Sequence, residues 1–218
     1  MKLSLTVKVF PSGRRQLIVP VHDSQITANY FSRCSGGYIL CPSHGLLQAA
    51  RGALRLLVST LQQAGAEPIV VVTGNQADAL EKELSKSGVV FLHNKDYMTS
   101  QMFDSVKLGL SYINDKCDRV LFTISDAPLF TMQTIAELFR SDADIAIPVF
   151  TGRKGHPLLI KTTVIPRILE TESDNGLRGA IRASGVETEL VTVEDEGVLF
   201  YTSSSSSTTA SFFGRCTR

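Results

Sequence analysis

The chain has 218 residues, which is long enough for one sizeable hydrophobic core. A net charge of +1 and the absence of tryptophan provide neither a basic surface nor an aromatic platform, so we expect no nucleic acid or membrane partner. The four cysteines lack zinc-type spacing, and the N-terminal apolar runs are too short for a signal peptide or membrane span. These features predict a cytoplasmic protein with reduced thiols.

Residues 1–55 have the least regular pattern in the chain. Leu3–Phe10 and Gln16–Val21 carry β-forming residues in rough alternation and predict strands. Gly45–Leu57 has helix-forming residues, but arginines interrupt its apolar face. We therefore treat residues 1–55 as an aberrant N-terminal segment, separate from a core at 56–200.

In the core, predicted strands alternate with predicted helices. The strands are Pro68–Thr73, Val89–Leu92, Val120–Ile124, Ala143–Val149, Leu158–Ile160, Glu189–Val193 and Val198–Phe200. The helices are Leu56–Ala64, Ala77–Lys86, Met102–Ile113, Met132–Phe139, Val164–Leu169 and Leu177–Ala183. This alternation predicts an α/β domain with a mostly parallel sheet covered on both faces. The serine-rich residues 201–218 predict a disordered tail.

Asp126 directly follows the strand Val120–Ile124, whose continuous apolar composition is typical of a strand buried on both faces. A carboxylate just beyond such a strand lies in the crevice where α/β sheets bind ligands. Asp126 is therefore a candidate ligand for Mg²⁺, which prefers carboxylate oxygens and brings phosphates with it. The alternative is that Asp126 caps a helix over Thr131–Arg140.

Two further polar clusters follow predicted strands. They are Thr73-Gly74-Asn75 and Asn94 with Tyr97. The fold would gather them with Asp126 along one edge of the sheet, where they outline a ligand crevice. The alternative is that they are ordinary turn residues. Ser105 lies on a predicted helix that otherwise packs inward. The alternative to a ligand-binding role is that its hydroxyl is already hydrogen-bonded within the protein.

The segment Arg153-Lys154-Gly155-His156-Pro157 combines groups that suit a phosphate-bearing ligand. Gly155 lets a backbone approach closely, Arg153 and Lys154 are cations, and His156 offers a donor held in place by Pro157. The alternative is a hairpin-like turn with solvated charges.

The segment from Asp174 to Arg178 reads as a helix start capped by Asp174 or Asn175. The chain contains no GxxxxGK[ST] loop and no GxGxxG, and no Ser-His-Asp set has a usable spacing. A phosphate-binding site in this protein must therefore be of another type.

Several of these motifs together resemble one family. They are Val70-Val-Val-Thr-Gly74, Asn94-x-x-Tyr97 with Met102-x-x-Ser105-x-x-x-Gly109-Leu110, Ser125-Asp126-Ala127-Pro128, Gly155-His156-Pro157 and Gly176-Leu177-Arg178. In this order they resemble the MobA-like nucleotidyltransferases, in particular the molybdenum cofactor cytidylyltransferase branch, over residues 56–200. The Gly-His-Pro and Gly-Leu-Arg elements are what indicate that branch.

The resemblance implies a Rossmann-like three-layer α/β/α domain that transfers CMP or GMP from CTP or GTP to the phosphate of molybdopterin, with Mg²⁺. It implies an NTP, a molybdopterin-type substrate, and a molybdoenzyme or its maturation chaperone as partners. By resemblance, Asp126 is the catalytic and metal-binding residue. The implied nucleotide-binding residues are Thr73, Gly74, Asn75, Asn94 and Ser105. The implied substrate-binding residues are Arg153, Gly155, His156, Pro157 and Arg178.

Three departures from the family pattern stand out. Residues 1–55 lack the family's Leu-Ala-Ala-Gly-x-Ser-x-Arg-Met-Gly loop and the following Lys-Pro. Phe200 is followed by Tyr201-Thr202-Ser203 where the family has Asp-x-Asp-Thr-Pro, and Gln101 replaces the usual glycine before Met102. The missing loop and the missing aspartate favour one alternative, a catalytically inactive relative acting as a binding or accessory protein. A second alternative is a sugar-phosphate nucleotidyltransferase, which shares the fold but does not explain the Gly-His-Pro element.

A shifted reading frame is our hypothesis for the N-terminal departure. Dropping one base from codons for Cys34–Gly37 can yield Ala-Ala-Gly, and the same change over His44–Arg51 can yield Met-Gly-x-Phe-Lys-Pro-Leu. Both are fragments of the missing loop in the right order.

Overall fold

A computed structural model describes residues 15–20, 44–74, 77–171 and 175–201 of the chain. The strands are β1 (Arg15–Pro20), β2 (Ile69–Thr73), β3 (Val90–His93), β4 (Arg119–Phe122), β5 (Ile145–Phe150), β6 (Arg153–Lys154), β7 (Leu158–Lys161) and β8 (Thr188–Thr192). The helices are α1 (His44–Gln63), α2 (Ala77–Leu84), α3 (Met102–Ile113), α4 (Met132–Leu138), α5 (Ile165–Leu169) and α6 (Gly176–Ser184). Short 3₁₀ turns cover Thr162–Val164 and Glu196–Leu199. Within this part of the chain, every helix is too short or too polar to cross a membrane.

The strands of the described ranges join one eight-stranded sheet in the order β3-β2-β1-β4-β7-β5-β6, and β8 pairs with β5. β1 runs parallel to β2 and β4, β2 to β3, and β5 to β8. β7 runs antiparallel to both β4 and β5, and β6 runs antiparallel to β5. The expectation of a mostly parallel sheet is therefore wrong, and the sheet is mixed. The apolar run of β7 predicts burial but not direction, which is set by the β5–β6 hairpin that turns the chain back.

Helices cover both faces of this sheet. Consecutive strand residues point to opposite faces, so Val71 joins one hydrophobic cluster whereas Val70 and Val72 join the other. The first cluster contains side chains of α1, α2 and α4, and the second contains side chains of α3, α5 and α6. The resulting cores hold the β4 end rigidly between two layers of helices.

The N-terminal segment contributes to the middle of the sheet. β1 pairs with β2 on one side and with β4 on the other, and α1 continues through residue 55. The predicted strand at Gln16–Val21 is confirmed through Pro20, and the helix-forming residues of Gly45–Leu57 belong to α1 although arginines interrupt their apolar pattern. Leu3–Phe10 lies outside the described residues. The division at residues 55 and 200, and the shifted reading frame, stay predictions.

The predicted strand Val198–Phe200 is wrong, because these residues take part in the 3₁₀ turn Glu196–Leu199. The carboxylate of Asp195 accepts a hydrogen bond from the Gly197 N–H at 2.9 Å, and the Phe200 N–H donates to the Gly197 carbonyl at 3.2 Å. These two bonds satisfy backbone groups locally, so the segment does not need a neighbouring strand.

Candidate active site

Asp126 lies in the loop between β4 and α4 and is partly exposed. The loop bends there, since the Ala127 N–H donates to the Ile124 carbonyl at 3.2 Å. The N-cap of α4 is Thr131, whose side chain accepts from the Thr134 N–H. The alternative that Asp126 caps this helix is therefore wrong.

Tyr201 is influenced by charged residues from two segments that are distant in the sequence. Its pKa is raised first by burial and then by the negative charge of Asp126, while the positive charge of Arg153 lowers it. Both charged groups therefore lie within electrostatic reach of the Tyr201 hydroxyl. The sequence indicates position 201 only as a departure from the family pattern, and does not indicate that the tyrosine contacts the site.

His156 lies between two aromatic rings at this site. The ring centroid of His156 is 6.1 Å from that of Phe122. It is 6.3 Å from that of Tyr201, and the ring planes of His156 and Tyr201 meet at 87°. Burial lowers the pKa of His156 to about 4, and a hydrogen bond with the backbone of Phe122 opposes this weakly. The imidazole is thus neutral at pH 7, and its buried Nδ1 atom has no hydrogen-bond partner among the residues that the structure describes.

Gly155 is required by a contact within the protein. Its N–H donates to the Pro148 carbonyl at 2.9 Å, and a Cβ at this position would lie 2.3 Å from the Val198 carbonyl oxygen. That same oxygen accepts a hydrogen bond from the His156 N–H at 2.9 Å. The close backbone approach predicted for Gly155 therefore occurs with the 3₁₀ turn of the protein itself. The Val198 carbonyl of this turn also holds the backbone of His156.

Arg153 and Lys154 form β6, the second arm of a hairpin with β5. Both side chains are exposed, as the hairpin alternative expects. Arg178 is also exposed, on α6, a helix that packs against α3 and α5. Asn175 occupies the N-cap position of α6 without a capping bond from its side chain, and Asp174 lies outside the described residues.

The two other polar clusters lie against each other at the ends of β2 and β3. The Asn94 N–H donates to the Thr73 carbonyl at 2.8 Å, and a Cβ on Gly74 would lie 2.9 Å from the Tyr97 Cβ. The Thr73 side chain is fully buried, with its hydroxyl 3.5 Å from the Leu92 carbonyl. Asn75 lies outside the described residues.

The metal expected from the resemblance has one candidate protein ligand, Asp126. Within the residues that the structure covers, no three His, Cys, Asp or Glu side chains cluster as a ready-made metal site. A single carboxylate such as Asp126 does fit Mg²⁺ arriving with a triphosphate, because Mg²⁺ is commonly held by one or two carboxylates plus substrate phosphates and waters.

The mixed α/β sheet described above is a nucleotidyltransferase-like fold, as its similarity to solved structures shows. A family model for the MobA-like NTP transferase domain matches residues 46–189. The chain therefore belongs to the MobA-like NTP transferase family, which confirms the resemblance.

Similar proteins support the fold. The bifunctional protein GlmU of Francisella philomiragia is 29% identical over 91 residues, which are 42% of this chain and 19% of GlmU, so the chain spans only a small part of that relative. The structure of 4-diphosphocytidyl-2C-methyl-D-erythritol synthase from Anaerococcus prevotii has a TM-score of 0.65 at 10% identity, covering 93% of this chain and 96% of that one. The manganese complex of Rv0371C from Mycobacterium tuberculosis has a TM-score of 0.58 at 14% identity, covering 82% of this chain and 88% of that one.

Proposed function

We propose that this protein is a Mg²⁺-dependent nucleotidyltransferase that transfers CMP or GMP from CTP or GTP to the phosphate of a molybdopterin-type substrate. Its Rossmann-like three-layer domain would place the NTP across the ends of β2, β3 and β4. The observation that carries the proposal is the Asp126 carboxylate beyond the central strand β4, where Asp126 and the cation Arg153 both lie within electrostatic reach of the Tyr201 hydroxyl. The synthase and the manganese-bound protein of similar fold support a cytidyl nucleotide and a divalent cation, respectively.

The reaction requires positioning and charge neutralisation more than covalent help. An acceptor phosphate oxygen attacks the α-phosphorus in line, and the bond to pyrophosphate breaks. The divalent cation, held by Asp126, would neutralise charge on the phosphates. Arg153 and Lys154 would pair with acceptor phosphate oxygens, because exposed cations can reach a ligand without breaking protein contacts.

His156 would select the acceptor by hydrogen bonding. The ring is neutral at pH 7, and its Nδ1 atom has no hydrogen-bond partner within the described part of the chain. A buried polar atom without a partner is costly unless a ligand satisfies it. Gly155 and Pro157 hold this ring, and Arg178 would contact the same substrate from α6.

The nucleotide side would be formed by Thr73, Gly74, Asn75, Asn94 and Ser105. Asn94 and Ser105 are hydrogen-bonded to each other, so we expect them to shape this wall from inside the protein. A molybdoenzyme or its maturation chaperone would receive the product in the cytoplasm.

A second candidate is a sugar-phosphate nucleotidyltransferase, which the match to GlmU favours. The two candidates share the nucleotide side of the site and differ in the acceptor. An inactive binding protein is the third alternative, motivated by the missing glycine-rich loop.

The test is pyrophosphate release by the full-length chain with CTP or GTP, Mg²⁺, and either a molybdopterin-type or a sugar-phosphate acceptor. Asp126→Asn keeps the side-chain shape and removes the charge, and we expect a loss of about 100-fold or more. Asp118→Asn is the matched control, since Asp118 is exposed just before the opposite end of β4 and should leave activity unchanged. Equal turnover in Asp126→Asn and wild type would refute the assignment, and absence of NTP binding by wild type would favour the inactive alternative.

A further inference from the structure

Asp195 joins two segments that are more than sixty residues apart. Its Oδ2 atom accepts hydrogen bonds from the Thr131 N–H at 2.8 Å and the Thr131 hydroxyl at 2.9 Å. The same oxygen accepts from the Thr134 hydroxyl at 2.5 Å, and Oδ1 accepts from the Gly197 N–H at 2.9 Å. The carboxylate thus ties the start of α4 to the 3₁₀ turn Glu196–Leu199.

This turn supports the loop that carries Asp126. Thr131 is the N-cap of α4, five residues after Asp126. A Cβ on Gly197 would lie 2.2 Å from the Leu129 carbonyl oxygen, so the turn packs directly on the backbone of that loop. Asp195 and Gly197 therefore hold the chain at Leu129 and Thr131, immediately after the candidate metal ligand.

The same turn also supports the loop that carries His156. The Val198 carbonyl accepts from the His156 N–H at 2.9 Å, and Gly155 has no room for a side chain against it. Val198 is fully buried in the first hydrophobic cluster. One turn of the chain therefore contacts both loops of the candidate site.

We propose that Asp195 is a positioning residue that keeps the Asp126 loop and the Arg153–Pro157 loop at a fixed separation. The proposal rests on the proposed function, in which the first loop serves the NTP and the second serves the acceptor. In-line transfer requires the reacting atoms to be about 3–3.5 Å apart, so a small change in this separation lowers turnover. Asp195 itself does not touch the reacting atoms.

A negative charge is needed at this position because four hydrogen-bond donors point at the carboxylate. An asparagine would offer one oxygen and turn an N–H₂ group towards donors of Thr131, Thr134 or Gly197. The unmatched donors would then loosen the turn. Asp195→Asn is therefore the sharpest variant, since it conserves the volume.

The first readout is hydrogen–deuterium exchange of the full-length, ligand-free protein. We expect Asp195→Asn to raise exchange in residues 126–134 and also in 153–157. Ile168→Val is the control: Ile168 is fully buried in the cluster on the opposite face, and the change removes one buried methyl group without touching the turn. A wild-type exchange pattern in either segment of Asp195→Asn would overturn the bridging role.

The second readout is the split between kcat and KM in the transfer reaction. We expect kcat to fall on the order of 100-fold in Asp195→Asn with the KM for NTP nearly unchanged, and neither to change in Ile168→Val. Unchanged kcat in Asp195→Asn, with an active wild type, would refute the positioning role. If wild type transfers nothing, the proposed function fails, and exchange alone then decides whether Asp195 joins the loops.

Thr134→Val provides a second variant that keeps the carboxylate and removes one donor. We expect smaller increases in hydrogen–deuterium exchange and a smaller fall in kcat than in Asp195→Asn. In the double variant the two effects should be less than additive, since both substitutions remove the same hydrogen bond. Additive effects of the two substitutions would contradict the proposal. This variant also allows the test if Asp195→Asn does not fold.

Discussion

Asn94, immediately after β3, donates a hydrogen bond from Nδ2 to the Ser105 hydroxyl in α3 at 2.9 Å. The same amide nitrogen donates to the Ser100 hydroxyl at 2.9 Å, and Oδ1 accepts from the Asp96 N–H at 3.1 Å. Asn94 and Ser105 are both buried. The alternative of a satisfied helix hydroxyl is therefore confirmed for Ser105, and the amide closes the 94–105 loop from inside. Direct contact of either residue with a nucleotide stays a prediction.

We expect Ser105→Ala to lower the free energy of unfolding by about 1 kcal/mol, because it removes one hydrogen bond. Asn94→Ala removes all three bonds of the amide and should cost roughly 2–3 kcal/mol. Urea denaturation measures both values, with Ser111→Ala on the exposed face of α3 as the control. Equal stability of the Asn94→Ala and Ser111→Ala variants would contradict this role.

Gly155→Ala should destabilise the protein because the new Cβ would meet the Val198 carbonyl oxygen at 2.3 Å. Backbone atoms cannot move aside as a flexible side chain can, so we expect a cost of about 1–3 kcal/mol. Gly52→Ala is the matched control in α1, where a Cβ meets nothing within 4 Å. Alanine there should stabilise by up to about 1 kcal/mol, since glycine is a poor helix former. Thermal unfolding of both variants would show changes of opposite sign.

His156 should make stability depend on pH in a defined window. Its pKa is about 4 in the folded protein against an ordinary value of 6.5, so the unfolded chain binds more protons between these values. The stability from the buried neutral ring is fully present above pH 6.5 and is lost as pH falls towards 4. From pH 7 to pH 5 we expect this residue to account for a loss of roughly 2 kcal/mol.

The measurement is the free energy of unfolding at both pH values for wild type and His156→Phe, which keeps a ring between Phe122 and Tyr201. The variant should lose less stability on acidification, because phenylalanine does not titrate. The same loss in both proteins would show that other groups cause the dependence.

Tyr201→Asp should strengthen divalent cation binding. Residue 201 lies within electrostatic reach of Asp126, at the position where the family pattern expects a carboxylate. A second carboxylate raises affinity for a hard cation, and we expect Mn²⁺ to bind about tenfold more tightly. Titration followed by electron paramagnetic resonance measures this, with Tyr201→Asn as the uncharged control. Identical affinity of the two variants would place residue 201 outside the metal site.

Local elements were predictable where the apolar period is continuous. Helix α3 has the predicted bounds Met102–Ile113, because Val106, Leu110 and Ile113 repeat at one-turn spacing and pack inward. β2 and β4 were predicted to within a few residues from their unbroken apolar runs. The 3₁₀ turn at Glu196–Leu199 was missed, because Val198-Leu199-Phe200 has the composition of a strand while Asp195 and Gly197 set its geometry.

The sequence by itself determined the family, the alternation of strands and helices, and the place of Asp126 beyond a buried strand. The elements and the place of Asp126 depend on neighbours within about one turn or one strand of the chain, and the family depends on several such short motifs in a fixed order. Only the tertiary structure decided the direction of β7, the electrostatic effect of Asp126 and Arg153 on Tyr201, and the bridge from Asp195 to Thr131 and Thr134. These relationships join residues separated by up to 75 positions (Asp126 and Tyr201), and no local pattern encodes them, because packing against the rest of the fold selects the partners.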